Sequence, residues 1–163
     1  MNQTLTGDAL VLQEIVSAHV IRALPGGGFA EPMAVCVGDL ITTAGRTHIA
    51  QRMTGDDTVS SKMAHMAVGT GTTAGSLAST NIGGEVKRKA LAVYSATNNL
   101  VTATATFGGA ADTVTSLQIG NAALFNHAGS GNGTMMQIVQ FATVTLADSD
   151  LLSITLQTNV GSS

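Results

Sequence analysis

Residues 101–107 read Val-Thr-Ala-Thr-Ala-Thr-Phe, with threonine at every second position and apolar groups between. A period of two is that of a pleated strand, whose side chains point alternately to opposite faces. The stretch predicts a half-buried strand with Val101, Ala103, Ala105 and Phe107 turned to a core and hydroxyls turned away. The same pattern continues toward the C-terminus. In residues 151–160, Leu152, Ile154, Leu156 and Val160 fall on one side, with Ser153, Thr155 and Gln157 on the other. In residues 113–126, Leu117, Ile119, Ala123 and Phe125 are predicted to share a face.

Working outward, strands are expected at residues 62–70, 84–95, 100–108, 113–126, 135–146 and 151–160. Turn chemistry lies between them, at Asn98-Asn99 and at residues 108–112, 129–133 and 147–150. Strands with turns about every ten residues predict a mainly β fold, an antiparallel, jelly-roll-like β-sandwich. One short helix is expected at residues 39–53, capped by Asp39, with Leu40, Ile41, Ala44, Ile49 and Met53 roughly on one side. Residues 1–38 are ambiguous. Leu12, Ile15, Val16, His19, Val20 and Ala23 recur at helical spacing, yet valine and isoleucine favour strand. Pro25-Gly26-Gly27-Gly28 ends that segment, and residues 33–37 form a short strand candidate. The expected organisation is an N-terminal arm or edge segment over residues 1–38 and a sandwich domain over residues 39–163.

Only 10% of the 163 residues are charged, against the usual quarter, while 44% are hydrophobic. A soluble monomer normally carries a more charged exterior, so part of this surface is expected to lie under neighbouring chains. The formal net charge of −3 gives no electrostatic case for nucleic-acid binding. Cys36 is the single cysteine, which excludes an intrachain disulfide and a cysteine-rich metal site. It is read as a small buried apolar group in a chain folded in a reducing cytoplasm. No basic leader and no run of membrane-spanning length are found, so neither export nor membrane insertion is expected.

Candidate chemistry is sparse. Gly69-Thr70-Gly71-Thr72-Thr73-Ala74-Gly75 follows a predicted strand but lacks the Gly-Lys-Ser/Thr ending that grips phosphate, and is read as a structural loop. Asp56-Asp57 lacks the spaced oxygen ligands of a calcium loop and is read as a turn. His19, His48, His65 and His127 show no metal-ligand spacing, and no serine sits in a nucleophile elbow. No catalytic, metal or cofactor residue is assigned, and no enzyme is expected. The one concentrated charge feature is Lys87-Arg88-Lys89. On a strand, Lys87 and Lys89 point one way with Glu85, and Arg88 points the other. Two readings stay open: a contact for an acidic partner surface, or lysines protecting a sheet edge.

Several strings carry a resemblance: Met66-Ala67-Val68-Gly69-Thr70-Gly71-Thr72-Thr73-Ala74, Ile82-Gly83-Gly84-Glu85-Val86-Lys87-Arg88, Asn121-Ala122-Ala123-Leu124-Phe125-Asn126 and Gly133-Thr134-Met135-Met136. Their order, after a segment Leu40-Ile41-Thr42-Thr43-Ala44-Gly45, resembles small virion structural proteins of tailed bacteriophages. The resemblance spans about residues 39–160. It implies a capsid cement or decoration protein on the outer surface of the head, made in the host cytoplasm. Its implied partners are the major capsid protein and copies of itself, in trimers or other symmetric sets. Arg22, in the expected arm, joins Lys87, Arg88 and Lys89 as a candidate partner contact. A tail fibre, baseplate or collar component is the alternative. A carbohydrate-binding module is a third reading, weakened by the absence of tryptophan and by having only Tyr94 and four phenylalanines as aromatics.

Overall fold

The computed structural model describes residues 10–31, 33–34, 36–55 and 62–162, with the backbone alone for residues 10–15, 34, 36–39 and 160–162. The readings of Asp56-Asp57 and of the Cys36 side chain lie outside what is described. The elements are β1 (Leu10–Ile21), β2 (Met33–Ala34), β3 (Cys36–Ile41), α1 (Thr43–Met53), β4 (His65–Gly69), β5 (Glu85–Ala90), β6 (Val93–Thr97), β7 (Leu100–Gly108), β8 (Gln118–Phe125), β9 (Met135–Thr145) and β10 (Leu151–Ser162). They form two five-stranded sheets, ordered β2-β1-β10-β7-β6 and β3-β9-β8-β4-β5. Neighbouring strands are antiparallel. The first long strand pairs with the last, and the next pair inward, β3 with β9, lies in the opposite sheet, as in a jelly roll.

The alternation sets the inner face. Ala103, Ala105 and Phe107 of β7 and Leu152, Ile154 and Leu156 of β10 are buried, and they pack with Met66, Val68, Leu124 and Val139 of the second sheet. The second sheet is covered on its other face as well. Ala67, Ala123, Phe125 and Ile138 lie beneath Ile82 of the long connection between β4 and β5. A strand buried on both faces loses its alternation, which is why Ala122 and Ala123 are both buried.

Four expectations are corrected. The face proposed for residues 117–125 is split, because the register of β8 against β9 shifts between Ile119 and Asn121. Ile119 enters the inner core while Ala123 and Phe125 pack outside, since a bulge reverses the side chains beyond it. The helix begins four residues later than expected. Asp39, Leu40 and Ile41 pair with residues 137–139 of β9, with a bulge between Val37 and Asp39. Thr42 is the cap, its hydroxyl accepting from the Gly45 amide at 3.0 Å and donating to the Met135 carbonyl at 2.6 Å. The helix then lies against β9, where a Cβ on Gly45 would strike the Met136 backbone. The strand expected at residues 84–95 is two strands in different sheets. The Leu91 amide still bonds the Ala64 carbonyl, while the Ala92 amide bonds Thr104 across the sandwich. Lastly, from Leu10 onward the expected arm is an interior strand: β1 pairs with β10 along its length, and Ala18 and Val20 are fully buried.

Candidate interaction surface

The basic triplet sits on β5, at the edge of the second sheet. Lys87 and Lys89 pair with Val68 and Met66 and share their inner side. Both ammonium groups reach Asp112, in the turn after β7, at 3.6 and 2.8 Å. Lys89 also donates to the Thr106 carbonyl at 2.9 Å and lies 5.5 Å from the Phe107 ring centre. The lysine stems thus roof the open side of the core while their heads stay at the rim.

Arg88 turns to the opposite face. Its guanidinium lies 3.6 Å from the Phe125 ring centre and donates to both Glu85 carboxylate oxygens at 2.8 Å. It also donates to the His127 and Asn132 carbonyls. Glu85 was expected beside the lysines, but a register shift between Val68 and Gly69 makes Val86 an extra residue and carries Glu85 to the Arg88 side. With 2% of its side chain exposed, Arg88 offers no charge to a partner. Its expected contact role is corrected on that ground.

Arg22 lies apart, just after β1. Its guanidinium pairs with Asp150 and donates to the Thr145 carbonyl at 2.9 Å, with 45% of the side chain still exposed. The four predicted contact residues therefore do not form one patch. Lys87 and Lys89 converge on Asp112, and Arg22 meets a second buried carboxylate, Asp150. The turns bearing these two acids are joined by the Gly109 amide to the Asp150 carbonyl at 3.0 Å.

Burial raises the pKa of Asp112, but the Lys89 hydrogen bond, the Gly108 amide and the charges of Lys89 and Lys87 outweigh it, holding the acid below its ordinary value. A depressed folded value means that this carboxylate stabilises the fold fully above the unfolded value, about 3.9, and ceases to as pH falls through the folded one. The contribution of Asp112 to the urea midpoint is expected to hold from pH 7 to about pH 5 and to fall below about pH 4. Asp112→Asn should flatten part of that fall; an unchanged acid limb would refute the assignment.

The glycine-rich connection has a packing explanation. A Cβ on Gly69 or Gly71 would meet the Gly83 backbone and the Asn121 side chain. The Gly71 amide bonds the Gly83 carbonyl at 2.9 Å, and the Asn121 amide group donates to the same oxygen at 3.3 Å. Close backbone approach is what these glycines permit.

The surface that stands out is uncharged. On the outer face of the first sheet, Thr104 and Thr155 share a hydroxyl hydrogen bond at 3.0 Å, Thr106 donates to Ser153 at 3.3 Å, and Gln157 donates to Thr102 at 3.4 Å. These cross-strand pairs hold a polar, half-buried ladder. The ladder runs to β6, Val-Tyr-Ser-Ala-Thr, every residue of which is exposed and none charged. Among the described residues this strand pairs with β7 on one side and ends the sheet on the other. Sheet edges are normally blunted by charge, proline or a covering segment; β6 carries neither charge nor proline. Nothing in the local sequence separates this edge from the interior strand β7, because both are rich in threonine and alanine.

Comparison with family models, with curated proteins and with solved structures returns no match to this chain.

Proposed function

We propose that the chain is a structural protein of a tailed-bacteriophage particle, a cement or decoration protein that clamps neighbouring capsid subunits on the outer surface of the head. The observation that carries this reading is the exposed, charge-free edge β6, continuous with the hydroxyl face of its sheet. Unpaired strand groups can add to a partner's sheet, and a neutral face can be covered without desolvating ions. The sequence resemblance supports the choice of a virion over other assemblies. Clamping would be mechanical: many modest contacts, acting together across subunit boundaries, raise the cost of separating them. Self-association into trimers or another closed set belongs to the same proposal.

The test is co-sedimentation of the purified protein with capsids stripped of their decoration, compared with a Val93→Lys/Thr97→Lys variant. Both positions are exposed, so the fold should change by about 0.5 kcal/mol or less. Binding and self-association are expected to drop at least tenfold. Wild-type binding by the variant would refute the edge as the contact. Copy number in purified particles separates head from tail, since a cement protein is present in hundreds and a tail component in a handful.

A further inference from the structure

The connection between β8 and β9 brings the parts of one chemical step together. Asn132 is exposed there and is followed by Gly133. Of the eight asparagines in the chain, it alone precedes a glycine. The fold itself demands that glycine. Gly133 sits at a φ of +82°, and a Cβ on it would lie 2.5 Å from both Asn126 Oδ1 and His127 Cβ. With no side chain, Gly133 leaves its amide nitrogen unshielded toward the asparagine side chain one residue back. Arg88 supplies the remaining part. Its guanidinium donates at 2.9 Å to the Asn132 carbonyl, which belongs to the same peptide unit as the Gly133 nitrogen. A cation on that oxygen draws charge out of the peptide and stabilises the form in which the nitrogen has lost its proton. The donor is fixed beforehand, because Arg88 is held by Glu85 and lies over the Phe125 ring.

We propose that Asn132 is a self-modification site, at which the Gly133 peptide nitrogen, activated through Arg88, attacks the Asn132 side-chain amide. The Gly133 N–H gives its proton to solvent. Its nitrogen bonds to Asn132 Cγ, the Cγ–Nδ2 bond breaks, and ammonia leaves with a proton from water. The product is a cyclic succinimide. Water attacking Cγ then yields aspartate, and water attacking the backbone carbonyl carbon yields isoaspartate. The net change is one amide and one water exchanged for one carboxylate and one ammonium ion. Isoaspartate adds a methylene to the main chain at a tightly bonded tip. There the Asn132 amide bonds the Gly129 carbonyl at 3.2 Å, and the Thr134 amide bonds Asn126 Oδ1 at 2.7 Å. The modification is a slow, one-way loosening of the entry to β9, and it is independent of any role in a virion.

The test holds the full-length protein in neutral buffer at physiological temperature and follows each asparagine by peptide mass spectrometry. Asn132 is expected to convert to isoaspartate and aspartate about tenfold or more faster than any other asparagine. The rate should rise with pH, because the attacking nitrogen is deprotonated. The folded chain should outpace a free peptide of residues 127–135 by about tenfold or more, as one charged donor on a developing anion provides. Arg88→Gln/Glu85→Gln removes the cation together with the acid it pairs with, and should fall back to the peptide rate. A folded wild-type chain that converts no faster than the peptide overturns the proposal, and that comparison needs no variant to fold. So does a wild-type rate in the double variant.

Discussion

A chain shortened by residues 1–21 is expected to lose its cooperative fold. β1 pairs with β10 from Leu10↔Ser162 to Ile21↔Leu151 and carries β2 on its other side, so its removal unzips one flank of the first sheet. Ala18 and Val20 leave the inner core, and Leu152, Ile154 and Leu156 lose the neighbour strand that shields them. Burying one valine, leucine or isoleucine is worth about 1.5–3 kcal/mol, and a domain is stable by only about 5–15 kcal/mol in all. Several such losses together exceed that margin. The check is urea unfolding followed by far-ultraviolet circular dichroism. The truncated chain should show no cooperative transition, and a synthetic peptide of residues 10–21 added in trans should restore one. A truncated chain with an unchanged midpoint would reinstate the N-terminal segment as a detachable arm.

That expectation reverses the arm reading for residues 10–21 of the segment 1–38, and the reversal shows where local pattern stops being informative. Val101–Phe107 was legible because one face of β7 is buried and the other is not, so burial wrote itself into the period. In β1 the described residues Ala18 and Val20 obey the same rule, but His19 and Ala23 happen to fall at helical spacing, and the partner that decides the matter, β10, lies more than a hundred residues away. The helix start failed for a related reason. Asp39 is a competent cap in isolation, yet its backbone is held in a ladder with Val139, which outweighs the local preference. Bulges at Val86 and Gly120 each moved a side chain to the face opposite its parity, and neither is announced by more than a small residue nearby. The basic triplet was visible as charge, but its acids were not. Asp112 is found only once β7 turns back over β5.

Asp150→Ala should be strongly destabilising. The carboxylate is nearly buried in the turn between β9 and β10 and accepts from three donors: the Ala147 amide at 2.9 Å, the Ala23 amide at 3.1 Å and the Arg22 guanidinium. It fastens the end of β1 to the start of β10, the same junction that the truncation tests. Burial raises its pKa, but the Ala147 amide, Arg22 and the Ala23 amide together outweigh that, holding the acid below its ordinary value. Truncation to alanine strands the donors around it, at a cost of about 2–3 kcal/mol, or roughly 5–10 °C in Tm for a chain of this size. Arg22→Ala should cost about 1 kcal/mol or less, because nearly half of that side chain is in solvent, which screens the pair. The asymmetry separates two origins of the stability: amide satisfaction predicts that the Asp150 variant is much the worse, whereas an ion pair acting alone predicts equal losses. The difference must also depend on pH. Because the folded pKa is depressed, wild type holds its advantage over Asp150→Ala above about pH 4 and loses it as the acid protonates at lower pH. Chemical unfolding of wild type, Asp150→Ala and Arg22→Ala at pH 7 and below pH 3 measures both effects, and equal losses in the two variants, or a gap unaltered by acid, would refute this account of the junction.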